Sequence, residues 1–306
     1  LRTLVLDIDG SIASQPGFGE LLAKGAALRL DLRSEERALR LWTSASRLFR
    51  LRERIADAMP PGRGPVVTFY GSGDYHHIVT ALIQGFADPL TVVHFDNHPD
   101  WVRFPPTHNC GGWVNRVLAL PQVRRVVTLG VSSADLQWPQ LKSGNIAALA
   151  SGQLEVHPWR AEPSRVWGKI GDGQGHRRRG RWIEWNCLAD RPWPEFVDAL
   201  AARLPTRAVW LTIDKDVLRP EDAATNWDQG GMPLASLLAA VERIAAACDI
   251  VGVDVCGDYS VPRFSSPAKL IAAWLDRHEV APPRGAEACN DRTNRALLAT
   301  FARVLP

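Results

Sequence analysis

The stretch His94–Trp101 reads HFDNHPDW. Asp96, His98 and Asp100 stand at i, i+2 and i+4, directly after an apolar run. Alternate side chains of an extended backbone share a face, so three groups able to hold a metal project together from one strand end. Left alone they would repel one another and lose hydration, and a bound cation removes both penalties. WLTIDKDVL, from Trp210 to Leu218, repeats the arrangement with Asp214 and Asp216 at spacing two. If both runs belong to a parallel sheet, the two clusters meet at its carboxyl edge, where open α/β sheets place their sites. A single short acidic motif is commonly a helix cap or a solvated loop. Two such motifs, five ligand-type groups in all, need a compensating charge if buried. GSGDYHH, from Gly71 to His77, adds Asp74, His76 and His77 as candidates for one more ligand. Asp74 can instead cap the helix that follows while one of the histidines coordinates.

The elements that must position these groups alternate along the chain. Leu4–Ile8, Val66–Tyr70, Thr91–Phe95, Val126–Val131, Ala208–Ile213 and Ile250–Val255 read as strands. Helices are expected from about Glu35 to Met59, capped by Ser34 and stopped at Pro60-Pro61-Gly62, and over Ile78–Phe86, Pro233–Ala247, Ala268–Arg277 and Asn294–Val304. The strands are continuous apolar runs, the pattern of a parallel sheet covered on both faces by helices. Nothing divides the chain, so residues 1–306 are expected to form one domain. Gly168–Arg181, GKIGDGQGHRRRGR, reads as a mobile basic loop, either a solvated insertion or a lid or anion-binding loop.

Composition narrows the class. With 306 residues, the chain can bury a large core without disulfides. Its 36 basic and 33 acidic residues nearly balance, which gives no reason to expect nucleic acid or another polyanion as partner. No apolar window is long enough to span a membrane. The N-terminal run carries Asp7 and Asp9, unlike a secretion signal, and the five cysteines are odd in number and widely spaced. A cytoplasmic location is therefore expected.

The order G-x-G-D-x-H, then D-x-H-x-D, then D-x-D after a strand resembles the arginase/agmatinase ureohydrolase family of the arginase–deacetylase superfamily. THNCGGW around His108 resembles the family's His-Gly segment, and Gln229–Pro233 its Gly-Gly segment. The resemblance runs from about residue 66 to 260. It implies a three-layer α/β/α sandwich with a mainly parallel sheet of about eight strands. It also implies two Mn²⁺ ions bridged by a hydroxide that attacks a small-molecule substrate, and a homo-oligomer. Carried over, the ligands are His76 (with Asp74 or His77 as substitutes), Asp96, His98, Asp100, Asp214 and Asp216, and Asp96 and Asp214 bridge. His108 and Asp100 are the expected catalytic residues, with His108 moving a proton to the leaving amine. Asp258 and Asn109 are expected at the substrate, with Arg and Trp residues of 168–185 helping to select it.

The resemblance also has departures. Tyr75 intervenes in the first motif. Where the family places a guanidinium-binding Glu, this chain has Gly257, with Asp258 one residue on. A guanidinium wants a carboxylate fork, so the expected substrate is a different guanidino, formimino, amidino or amide compound. Two other readings stand beside this one. A degenerate binding protein would keep the fold without turnover. LVLDIDGSI resembles the first motif of haloacid dehalogenase-type phosphatases, which would use Asp7 and Asp9.

Overall fold

A computed structural model describes residues 1–59, 62, 64–106, 108–276 and 278–305. Its strands are β1 (Arg2–Asp7), β2 (Leu28–Asp31), β3 (Val66–Phe69), β4 (Leu90–Phe95), β5 (Val123–Leu129), β6 (Leu154–His157), β7 (Ser164–Arg165), β8 (His176–Arg179), β9 (Trp182–Trp185), β10 (Ala208–Asp214) and β11 (Asp249–Cys256). Eight of them form one sheet in the order β2-β1-β3-β11-β10-β4-β5-β6. Every pairing in it is parallel.

The continuous apolar runs follow from burial on both faces. All six residues of β4 are buried. Val93 and Phe95 face one core with Leu237, Val241 and Phe301, which belong to the helices Leu234–Ala247 and Ala286–Val304. Val92 faces the opposite core with Trp113, Val117 and Leu149. Helices thus cover both faces, giving the expected α/β/α sandwich. β10 lies between β4 and β11, with Ile213 beside Phe95 and Asp214 beside Cys256. That register delivers the two acidic motifs to the same edge, side by side. No helix among the described residues is long and apolar enough to cross a membrane.

Two expectations are corrected. The helix from Glu35 to Met59 is interrupted. A 3-10 turn over Arg33–Glu35 and a short helix Glu36–Leu39 precede a break, and the helix Ala45–Ala58 follows. Its N-cap is Ser44, which accepts from the Arg47 N–H, and not Ser34. At the break Leu41 takes φ 63°, and the Lys269 ammonium binds the carbonyls of Arg37, Ala38 and Trp42 at 3.1, 3.0 and 2.7 Å. These carbonyls find in the ammonium the donor that a continuous helix would have supplied. The expected stop at Pro60 and Pro61 lies outside the described residues.

Within Gly168–Arg181 the residues His176–Arg179 form a strand, β8, so the segment is one arm of a hairpin. β8 pairs antiparallel with β9, and β9 with β7, as a second sheet of three strands. Ile183 and Trp185 of β9 are buried and anchor it. Gly175 sits so close to the Val156 carbonyl that a Cβ there would lie 2.0 Å from the oxygen.

Candidate metal centre

His76 enters the site from a 3-10 turn over Gly73–Ile78, which follows β3. Its Nδ1 lies 3.1 Å from Asp96 Oδ2, 3.3 Å from Asp100 Oδ2 and 3.6 Å from Asp214 Oδ2. It is buried and makes no hydrogen bond. The other ring nitrogen, Nε2, lies 2.8 Å from Thr212 Oγ1. That hydroxyl donates its one proton to Asp254 Oδ2 at 2.8 Å, so it accepts from Nε2–H. Tyr70 donates to the same oxygen at 2.7 Å, and Trp210 Nε1 donates to Oδ1. This chain fixes the tautomer and turns the Nδ1 lone pair toward the acids.

The second group is built on His98, whose Nδ1 is 2.8 Å from Asp216 Oδ2 and 3.5 Å from Asp96 Oδ1. Among the described residues the ligand atoms gather on His76 and on His98: His76 stands with His94, Asp96 and Asp100 in one group and with Asp214 and Cys256 in another, and His98 stands with Asp96 and Asp216. Asp96 Oδ2 faces His76 and Oδ1 faces His98. Asp214 faces the His76 set through Oδ2 while its Oδ1 accepts the Asp216 N–H at 3.0 Å.

The electrostatics demand positive charge. Burial, and then the Asp96 charge, push the Asp100 carboxyl up to about 7 and that of Asp214 up to about 6. Burial and then Asp214 and Asp96 raise Asp216 as well. Burial lowers His76 and His98, but both are raised, His76 by Cys256 and then Asp100 and Asp96, His98 by Asp216 and then Asp228 and Asp96. A divalent cation in each set would replace those protons, and the oxygen-rich, imidazole-bearing donors suit Mn²⁺. Asp100 adopts φ 44°, which swings its carboxylate back toward His76, and Trp113 Nε1 donates to its Oδ2 at 2.6 Å.

Asp96, His98, Asp100, Asp214 and Asp216 floor a cavity of about 500 Å³, and His76 lies beneath them, outside its lining. Trp42, Phe104 and Trp227 wall it, and Asp135, Asp228 and Asp276 bring further carboxylates to its rim. Asn109 lines the cavity. His108 does not appear among its lining residues, although it was expected to move a proton there. Its carbonyl accepts the Thr43 N–H at 2.9 Å, and burial and then the Arg116 charge lower its pKa.

Other expected site residues serve the scaffold. Asp74 pairs with Arg40 and takes hydrogen bonds from His278 Nε2 at 2.9 Å and Trp227 Nε1 at 3.0 Å. It orders the cavity wall and stands in none of the groups of ligand atoms. His77 is buried, neither ring nitrogen has a partner, and it stands outside both ligand sets. Asp258 is fully buried on Lys215, at 2.7 Å, and accepts from Gln15 and Asn294, so it does not reach the cavity. No Arg or Trp of 168–185 lines the cavity. Asp7 pairs with Arg29. Asp9 accepts from Ser11 and from the Ser72 N–H at 3.1 Å. Neither opens on a substrate space, so the phosphatase reading is set aside.

Sequence reasoning missed His94, Cys256, Thr212 and Asp254. His94 Nε2 is 2.7 Å from Asp96 Oδ2 and orients that carboxylate. Spacing of two from Asp96 was the signal for His94, and the same spacing links Asp254 to Cys256. Asp228, which meets His98 Nε2 at 2.9 Å, carried no such signal.

No family model matches the chain. An uncharacterized protein of Thermotoga maritima is 27% identical over 204 residues, which is 67% of this chain and 62% of that protein. The match thus spans less than two thirds of that relative's length. Among solved structures, arginase from Bacillus cereus superposes with a TM-score of 0.60 at 15% identity, over 98% of this chain and 97% of that one. Arginase from Medicago truncatula gives 0.57 at 17% identity, over 100% and 87%. Formimidoylglutamase from Bacillus subtilis gives 0.56 at 12% identity, over 98% and 86%. The chain therefore has the ureohydrolase fold, the arginase-like α/β/α sandwich.

Proposed function

We propose that this protein is a metal-dependent hydrolase of a non-peptide C–N bond in a small guanidino, amidino, formimino or amide compound, and not an ordinary arginase or agmatinase. The observation that carries the reading is Asp96, set between His76 Nδ1 and His98 Nδ1 at 3.1 and 3.5 Å, one carboxylate oxygen to each.

Two divalent cations, Mn²⁺ by the donor set, would be held by His76, Asp96, Asp100 and Asp214 on one side and by Asp96, His98 and Asp216 on the other. When bound, such a pair supplies an activated water and charge stabilisation at the attacked carbon. The chain's own groups do the rest. The Trp113 indole N–H and the φ of Asp100 fix that carboxylate as a ligand. Asn109 offers hydrogen bonds to the substrate at the cavity wall. Trp42 and Trp227 exclude water from the floor. The rim acids meet a positive or partly positive substrate group.

The departure from arginine chemistry rests on Gly257. Its φ is +88°, and a Cβ there would lie 2.3 Å from Asp214 Oδ1 and 2.5 Å from the Lys215 nitrogen. No side chain can read a guanidinium from that position. The same feature favours the second reading, a binding protein without turnover.

The test is hydrolysis of a panel of guanidino, formimino, amidino and amide compounds by Mn²⁺-loaded protein, with ammonia and urea release as readouts. Turnover is expected on one class and is lost in Asp96→Asn. Binding without turnover across the panel would favour the second reading. Absence of bound metal after loading would overturn both the ligand assignment and the hydrolase. Urea release from arginine or agmatine on the order of 10 per second would restore the plain ureohydrolase reading.

A further inference from the structure

Cys256 ends β11 as the partner of Asp214 in the β10–β11 register, so the sheet itself fixes its position. Its side chain is fully buried. Its Sγ is 3.3 Å from Asp214 Oδ2, and ligand atoms of Cys256, His76 and Asp214 all lie within 4.8 Å of one another. The orphaned His76 Nδ1 points into the same space. Donors 2.0–2.3 Å from one metal in tetrahedral array stand roughly 3.3–3.8 Å apart. Cys256 to Asp214 at 3.3 Å and His76 to Asp214 at 3.6 Å have that spacing already.

We infer that Cys256 is a sulfur ligand of the cation held by His76 and Asp214. Thiolate favours Zn²⁺, Co²⁺ or Fe²⁺, while carboxylate and imidazole accept Mn²⁺. The two positions therefore differ in kind: a borderline cation sits at His76, and Mn²⁺ is accepted at His98, whose group carries no sulfur. On binding, the S–H bond breaks heterolytically. Sulfur keeps the electron pair and forms the S–metal bond, and one proton leaves to solvent. This inference rests on the metal-centre reading above and narrows its choice of ion.

The test loads the metal-stripped full chain with Co²⁺ and records its absorption. A thiolate-to-cobalt charge-transfer band is expected in the near ultraviolet beside the visible ligand-field bands. Cys256→Ser is expected to lose the former and keep the latter. Cys110→Ser, which alters the cysteine lining the cavity, is expected to keep both. A measurement without a variant decides the matter if Cys256→Ser does not fold: X-ray absorption of the Zn²⁺-loaded native protein should contain a sulfur scatterer at about 2.3 Å. Visible cobalt bands without the charge-transfer band, or a zinc shell of light atoms only, would overturn the sulfur ligand and leave the metal centre standing. Absence of any bound cobalt or zinc would overturn both.

Discussion

Lys215 and Asp258 form an ion pair at 2.7 Å in which neither side chain is exposed. Lys215 is flanked by Asp214 and Asp216, and its ammonium also donates to Asn294 of the helix Ala286–Val304 at 3.0 Å. The pair thus ties the end of β10 to the segment after β11 and to the last helix. Removing one partner of a buried pair leaves an uncompensated charge, at a cost of about 3–5 kcal/mol. Asp258→Ala is expected to lose stability of that order in denaturant unfolding. A substrate-binding role for Asp258 would show instead as a raised KM at native stability.

The ligand choice between neighbouring histidines is open to direct measurement. His76→Ala is expected to abolish binding of one divalent cation per chain by calorimetry, because Nδ1 faces three carboxylates. His77→Ala is expected to leave the stoichiometry at two. The opposite ranking would move the ligand by one residue.

Asp254 acts on the metal centre through Thr212 and His76. Groups of this kind orient a ligating imidazole, and losing them costs about 10–100-fold in metal affinity. Asp254→Asn is expected to weaken one metal step by that factor while the other is unchanged. An equal loss at both steps would point to general unfolding of the sheet edge.

Asp276 borders the cavity, and burial and then Asp135 raise its pKa. If the rim acids meet substrate charge, Asp276→Asn raises KM for a cationic substrate about fivefold, near 1 kcal/mol, with kcat little changed. An unchanged KM would assign the charge recognition to Asp135 or Asp228.

Acid sensitivity has a source remote from the site. Burial opposes ionisation of Glu155, but hydrogen bonds from His157 and Arg203 outweigh it and hold the carboxyl down at about 2, against an ordinary 4.5. A folded-state value below the unfolded one stabilises fully above the unfolded value. That contribution is lost as pH falls from about 4.5 toward 2. Glu155→Gln is expected to flatten the loss of stability between pH 5 and 3, measured by urea unfolding. An unaltered slope would place the acid-labile group elsewhere.

The sequence made the central sheet legible because β4 and β10 are buried on both faces, and such strands read as unbroken apolar runs. It hid β2, whose LRLD alternates half-buried with exposed positions at the sheet edge. It hid β6 as well, where Glu155 and His157 are buried polar residues satisfied by an arginine network that no local pattern reports. The ligand motifs were legible from period-two spacing. The resemblance, and not the spacing, put Asp258 at the substrate; the chain leaves β11 through Gly257 at φ +88°, and Asp258 packs on Lys215 instead. The interrupted helix failed for a long-range reason: Lys269, more than two hundred residues away, takes the carbonyls that a local reading assigned to the helix.

Gly257 also constrains how this scaffold can change its chemistry over time. Any side chain introduced there collides first with Asp214 and with the main chain at Lys215, and the main chain has no rotamer by which to yield. The opening step of a mutational path toward guanidinium recognition at that position would damage the metal cradle before conferring any selectivity. Change is less constrained at the rim, where Asp276 is exposed.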